Sequence, residues 1–291
     1  MRKSEADMIP EQTPWQLNQQ AIIGLYESCF HDKFEDLERL NQDVQTVKGH
    51  LYEREYIQAF DAAYKREAYV LRWSPSRSLA YASLFCYLDD VRQVLVNEPA
   101  TKVLAIGGGA GGELVALGSV FSQNDQNHQW DVTLMDISNW SDTVARLTHS
   151  VHRELCLKPE NLRVDFKLGD VLDPKMGLGL AEVNLITLMF TTNELFKENK
   201  IGSVNLLHRL NRECKKGALL LIVESAGSYS NIDIGKKTFP VTFLVDMVLC
   251  EKGPWTSVTE EDSIWFRCHR HWQYKFNLEN MRVLYRLYRH E

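Results

Sequence analysis

Apolar residues recur at helical spacing through the first third of the chain. Trp15, Leu17, Ile22, Leu25, Tyr26 and Phe30 form one stripe, and Phe34, Leu37, Leu40, Val44, Val47 and Leu51 form a second. Tyr56, Ile57, Phe60 and Tyr64 form a third, and each stripe predicts an amphipathic helix. Thr13-Pro14 offers an N-cap and an N1 proline to the first, and Ser74-Pro75 offers the same pair to a helix through Leu79, Leu84 and Leu88. Residues 1–12 are polar and read as a disordered tail, and 13–95 as a helical N-terminal region. From residue 96 the pattern changes. Short apolar runs at 102–106, 131–136, 162–166, 182–190 and 218–224 alternate with helical stripes at 113–121, 140–155 and 201–214. Buried strands alternating with helices predict an α/β fold built on a doubly wound, mostly parallel sheet. The stretch 239–249 reads as a helix, and 262–267 and 281–288 as two strands at the sheet edge, one of them antiparallel. That completes seven strands in one domain over 96–291.

The first of these strands runs straight into glycine. Thr101 to Gly112 reads TKVLAIGGGAGG, with Gly107, Gly108, Gly109, Gly111 and Gly112 between a strand and a helix. In that geometry backbone approaches a nucleotide closely and a helix N-terminus faces it. A side chain at Gly107 or Gly109 is expected to occupy the space that a ligand needs. Gly107, Gly109 and Gly112 fit the G-x-G-x-x-G dinucleotide fingerprint, and Gly107, Gly109 and Gly111 fit the G-x-G-x-G of S-adenosylmethionine (SAM) methyltransferases. A tight turn without a ligand is the plain alternative. Asp136 ends the second strand, where a carboxylate can accept both hydroxyls of a ribose. Asp170 follows the third strand, within Gly169-Asp170-Val171. Alone it reads as a turn aspartate. A dehydrogenase has no standard need for it, whereas a methyltransferase uses an acid there at the adenine edge. Glycine loop, acid and acid in that order favour SAM over NAD. Gly108, Ile137, Val171, Met189 and Arg77 complete the expected cofactor set.

Thr191-Thr192-Asn193-Glu194 lies at the end of the fourth strand, where open parallel sheets place their chemistry. Thr191-x-x-Glu194 is also a capping box, sufficient to explain Thr191, and Asn193 and Glu194 remain catalytic candidates. Arg72, Trp73 and Arg77 crowd two cations and an indole just upstream of the glycine loop, suited either to packing or to holding a carboxylate or a base. From Ile264 to Glu291 six Lys or Arg stand against two Glu. Arg267, Arg270, Lys275, Arg282, Arg286 and Arg289 are interleaved with Trp272, Tyr274, Phe276, Tyr285 and Tyr288. Aromatics between cations suit RNA, which is held by phosphate contacts and base stacking, and they equally suit a sheet edge with alternating faces.

Composition narrows the class. A hydrophobic content of 44% with 25% charged residues is that of a globular protein, and the net charge of −6 does not advertise a polyanion binder. Cys29, Cys86, Cys156, Cys214, Cys250 and Cys268 make no C-x-x-C and have no His at ligand spacing, so reduced thiols and no metal are expected. No apolar run follows Met1-Arg-Lys and none approaches a membrane span, so a soluble intracellular protein without membrane contact is expected.

The order of motifs over 100–225 resembles class I SAM-dependent methyltransferases, and more of the chain resembles one fungal family within them. The stretches AYVLRWSPSRSLAYASLF, VLAIGGGAGGELVAL, LITLMFTTNELF, FPVTFLVDMVL, SIWFRCHRHW and NLENMRVLYRLYR are similar to the family that includes the uridine-N3 methyltransferases of large-subunit (25S) ribosomal RNA. The resemblance covers most of 50–291 and is most specific in RWSPSR and LENMR…YRLYR. It implies a Rossmann-like sheet with helices on both faces and SAM as cofactor. Gly107, Gly109 and Gly111 would line the methionine side, Asp136 the ribose and Asp170 the adenine. It also implies ribosomal RNA or a pre-ribosomal particle as partner, in the cytoplasm, nucleus or nucleolus. Removing the N3 proton of uridine calls for a base, with Glu194 the first candidate and Asp246 the second. Arg72, Trp73, Arg267 and Arg282 become candidates for the RNA. One departure stands out: the family pattern opens E/D-x-G-x-G-x-G, and Ala105 stands where the acid belongs. A small-molecule methyltransferase, a non-catalytic SAM-binding interaction protein and, through Gly112, an NAD enzyme are the alternative readings.

Overall fold

Nine strands and ten α-helices make up the computed structural model, which describes residues 8–125, 127–226, 231–234 and 237–291, with backbone alone at 231–234, 237 and 238. In chain order the strands are β1 (Ala100–Ile106), β2 (Gln129–Asp136), β3 (Leu162–Leu168), β4 (Leu185–Met189), β5 (Leu219–Ser225), β6 (Asn231–Ile234), β7 (Lys237–Pro240), β8 (Trp255–Phe266) and β9 (Met281–His290). Seven form one sheet in the order β3-β2-β1-β4-β5-β9-β8, and β6 and β7 pair as a separate antiparallel hairpin. The first five strands are parallel, and β9 runs antiparallel to both of its neighbours. The chain steps from β1 to β2 on one side and returns to β4 on the other, which opens a crevice at the C-terminal ends of β1 and β4. The glycine loop and the 190–194 turn meet there.

Side-chain alternation sorts the sheet into two cores. Val103, Ala105, Val132, Leu134, Leu185, Leu221 and Val223 face one helical layer, and Leu104, Ile106, Ile186, Leu188, Leu220 and Ile222 face the other. The second layer contains α8 (Thr192–Glu198), α9 (Lys200–Glu213) and α10 (Val241–Asp246). The first contains α6 (Gly112–Ser122) and α7 (Ser141–Glu154), joined by the N-terminal helices α1 (Gln19–Cys29), α2 (Leu37–Tyr52), α4 (Ala63–Tyr87) and α5 (Asp89–Asn97). A short α3 (Tyr56–Phe60) links α2 to α4. The N-terminal helices therefore share one apolar core with the sheet.

Three local expectations change. The described part of the tail is fixed: Ile9 is 2% exposed and its N–H donates to the Trp265 carbonyl at 2.8 Å. The first helix starts at Gln19, where the Asn18 side chain accepts from the Ala21 N–H, and not at Thr13-Pro14. Thr13 instead donates to Gln16, whose amide donates to Ser83 on α4. Ser74-Pro75 does not open a helix at all.

Pro75 lies in the interior of the 25-residue α4. A proline there removes the N–H that would serve the carbonyl four residues back. That carbonyl belongs to Leu71, and the Tyr274 hydroxyl donates to it at 2.6 Å. The serines around the proline bind neighbouring backbone: Ser74 donates to the Ala110 carbonyl and Ser78 to the Gly112 carbonyl, both at 2.9 Å. Ser76 accepts from the Glu279 N–H at 2.9 Å. The RWSPSRS stretch thus ties the glycine loop to one side of α4 and the 274–279 segment to another.

Candidate active site

The loop after β1 turns on two left-handed residues, Gly107 (φ 77°) and Gly111 (φ 74°), a conformation that favours glycine. Packing by protein also demands small residues here. A Cβ on Gly107 would lie 2.2 Å from Thr191 Oγ1, and one on Gly109 would lie 2.0 Å from Trp140 Cδ1. These contacts are by themselves a sufficient reason for glycine at both positions. The Gly107 N–H donates to the Met135 carbonyl at 2.8 Å, which fixes the loop against the end of β2.

The other cofactor candidates line the same rim. Asp136 accepts from the Gly109 N–H at 3.2 Å and from the Ser138 N–H at 2.9 Å. Burial outweighs these bonds and pushes its carboxyl up to about 6. Ile137 beside it is 53% exposed, an apolar side chain open at the rim. Asp170 is exposed and accepts from the Leu172 N–H at 2.8 Å, while Val171 and Met189 are buried.

Beside the loop stands a cluster of carboxyls around one guanidinium. Arg77, on α4, lies over the rings of Phe190 (4.9 Å) and Tyr69 (5.4 Å) and donates to the Tyr69 hydroxyl. Phe190 takes a left-handed turn at φ 61°, unusual for a bulky residue, at the end of β4. Its ring meets both Arg77 and, one turn along α4, Tyr81, which stacks on it at 6.5 Å. Glu224, the last residue but one of β5, accepts from the Asn193 N–H at 2.9 Å and from the Asn193 amide at 3.0 Å. Glu224 therefore caps α8, and the expected capping box is absent: the Thr191 hydroxyl donates to the Met189 carbonyl instead. This leaves Glu194 free of a capping duty, close to Arg77, Glu224 and Asp136. Burial is the main force on it and, with the two neighbouring acids, pushes its carboxyl up to about 8 against the pull of Arg77. Burial raises Glu224 to about 7 and does the same to Glu113, in the first turn of α6. Lys197 over the Tyr56 ring at 5.5 Å joins α8 to α3 and closes one side of the cluster.

Glu113, Glu224 and Tyr69 belong to this cluster and escaped the reading of the sequence. Glu224 closes strand five as Asp136 closes strand two, and that parallel was the available signal.

Asp246 is not brought to the cluster. It accepts from the Tyr288 hydroxyl at 2.6 Å, and Tyr288 pairs with Leu220, toward the far end of β5 from Glu224. Arg72 is held by the Asn277 carbonyl at 3.1 Å and by an ion pair with Glu279. Trp73 packs on Tyr69 at 5.0 Å. Arg267 and Arg282 are exposed and lie on the rim, where the Arg282 carbonyl accepts from the Ala226 N–H just past β5. The aromatics of the C-terminal stretch turn inward: Tyr274 and Phe276 pack on Phe34, Trp272 on Phe266, and Tyr285 and Tyr288 are buried. Arg286 pairs with Asp262 and Arg289 with Asp90. Arg267, Arg270, Lys275 and Arg282 remain as the exposed cations of the stretch. Among the described residues no group of His, Cys, Asp and Glu is placed to hold a metal ion, and no helix is long and apolar enough to cross a membrane.

Residues 26–289 match the model of a family described as "Putative SAM-dependent methyltransferase". The chain is 38% identical to the 25S rRNA (uridine(2843)-N(3))-methyltransferase of Saccharomyces cerevisiae, over 99% of this chain and 90% of the yeast protein. Among solved structures it is similar to the N-methyltransferase NodS from Bradyrhizobium japonicum in complex with S-adenosyl-L-homocysteine (TM-score 0.39, 13% identity, 72% of this chain and 87% of that one). It is also similar to a SAM-dependent methyltransferase from Clostridium acetobutylicum (TM-score 0.41, 13% identity, 83% and 96%).

Proposed function

The chain belongs to this family of SAM-dependent methyltransferases, and from that premise we propose that it methylates N3 of a uridine in large-subunit ribosomal RNA. The observation that carries the choice of chemistry is Glu194, a half-buried residue beside the glycine loop whose carboxyl is pushed up to about 8. The N3 imide proton of uridine must leave as the methyl group arrives. A base with a pKa near the working pH is suited to take it.

The residues on the rim fit the cofactor. Asp136, with one backbone bond to each oxygen, and Asp170, with one bond in all among the described residues, both retain lone pairs, and Ile137 offers an open apolar surface. Glu113, Glu194 and Glu224 lie around the guanidinium of Arg77, with Asp136 near the first two, an excess of acid that suits a ligand with an ammonium and a sulfonium. SAM, when bound, supplies an electrophilic methyl group on sulfur. Gly107, Gly109 and Gly111 would hold its methionine half, Asp136 would accept from the ribose hydroxyls, and Asp170 would accept from the adenine amine. Val171 and Met189 close the floor. Asn193, held twice by Glu224, fixes the start of α8 and with it the position of Glu194. Glu194 would accept the N3 proton while the positioned N3 takes the methyl group that SAM would supply. N3 is used in a base pair, so the target uridine must be unpaired or turned out of a stack. On this reading the protein works where large-subunit RNA is assembled, in the nucleus or nucleolus.

A small-molecule acceptor is the second reading, and the inward packing of Trp272, Tyr274 and Phe276 favours it, since those rings are not offered to bases. The test is transfer of labelled methyl from SAM to ribosomal RNA, followed by digestion to nucleosides and chromatography. Label in 3-methyluridine is expected. Label confined to small molecules of a cell extract would replace the RNA reading with the second.

A further inference from the structure

The family pattern places a carboxylate two residues before Gly107, and this chain has Ala105 there. We propose that Glu113, from the helix after the loop, stands in for that carboxylate and receives the α-ammonium of SAM. The inference rests on the cofactor reading above.

The strand register gives the first argument. Ala105 on β1 is paired with Thr187 on β4, so the two side chains share a face of the sheet. The Thr187 hydroxyl donates to Glu113 Oε1 at 3.4 Å. The Glu113 carboxylate therefore reaches the sheet next to position 105, on the side to which an acid at 105 would project. A methyl group at 105 leaves room for it. A Cβ added to Gly108 would lie 2.9 Å from the Ala105 Cβ, so the loop sits directly on this pair. Two elements can deliver a carboxylate to this spot, the end of β1 or the first turn of α6, and this chain uses α6.

Electrostatics gives the second. Glu113 is 4% exposed, and among the described residues it makes no ion pair. The Arg77 guanidinium attracts Glu113 from nearby, but its hydrogen bond goes to the Tyr69 hydroxyl and it forms no ion pair with Glu113. Burying a carboxylate without a hydrogen-bonded cation is costly. A side chain bracing Thr187 alone needs no charge, and glutamine would serve as well. A cation brought by the ligand supplies the missing partner.

The test compares two ligands by calorimetry: S-adenosylhomocysteine and its analogue with hydrogen in place of the α-amino group. Glu113→Gln is expected to weaken S-adenosylhomocysteine about 10- to 100-fold, the range for a charged hydrogen bond, and to leave the analogue unchanged. Unchanged binding of the analogue also establishes that the variant is folded. Ala105→Asp added to Glu113→Ala is expected to recover affinity for the amino form alone. Equal affinities of Glu113→Gln and the parent for S-adenosylhomocysteine would overturn the proposal, and so would a parallel loss of both ligands. Failure of the parent protein to bind either ligand would overturn the cofactor reading itself.

Discussion

Glu194 has two carboxyls and one guanidinium as neighbours, and the balance among them sets its chemistry. With the carboxyl pushed up to about 8, most of the population is protonated at neutral pH and unable to act as a base. The fraction of base rises tenfold per pH unit below that value, so kcat/KM is expected to rise with unit slope and level off above about pH 8. A bound sulfonium favours the ionised carboxyl, so the same limb in kcat belongs at lower pH. Glu194→Gln is expected to lose about 10²- to 10⁴-fold in kcat, to abolish the limb, and to bind S-adenosylhomocysteine as before. A variant that keeps the limb would assign the base elsewhere. Glu194 was legible because a polar residue just past a buried parallel strand has few structural reasons to be there. Glu113 was not, because an acid in the first turn of a helix is what the helix dipole alone would favour. Its burial against Thr187 depends on a strand 74 residues further on.

At the scale of elements the alternation of strand and helix from β1 to β5 was readable, because buried parallel strands are continuous apolar runs whatever surrounds them. The course of α4 was not. Ser74-Pro75 carries every local mark of a helix start, and what overrides it is one hydroxyl 203 residues beyond Leu71. Leu71 is fully buried, so without Tyr274 its carbonyl would have no partner. Tyr274→Phe is expected to cost about 1–3 kcal/mol, seen as a lower midpoint in thermal or denaturant unfolding. Pro75→Ala restores an N–H four residues after Leu71 and is expected to return most of that loss in the Tyr274→Phe background. If the two substitutions simply add, Tyr274 stabilises the fold by packing and not by serving the interrupted helix. The same tyrosine shows which of the two readings of the tail aromatics holds for them, the one in which the rings pack inward. Cations and rings do alternate there, but the rings hold α4 and only the cations face outward.

That division governs how the whole molecule can meet RNA. The chain carries a net charge of −6, yet Arg267, Arg270, Lys275 and Arg282 lie exposed along the stretch that α4 anchors, with Glu279 engaged by Arg72. Beyond about a Debye length, roughly 8 Å at physiological salt, the overall charge is screened and the local strip decides. The expected complex is therefore weak at high salt, held by phosphates, and not dependent on stacking by the buried rings. Each phosphate contact on a single strand contributes about −0.7 to the slope of log affinity against log salt. Replacing the four cations with glutamine is expected to flatten that slope by up to about 3, while S-adenosylhomocysteine binding and the unfolding midpoint hold. Lys158 and Lys216, exposed in the loops that precede β3 and β5 at the opposite end of the sheet, are the matched control and are expected to leave the slope alone. An unchanged slope in the fourfold variant would move the RNA path off this strip. Affinity for a pre-ribosomal particle well above that for naked RNA would then mean that the particle supplies the basic surface this acidic protein lacks.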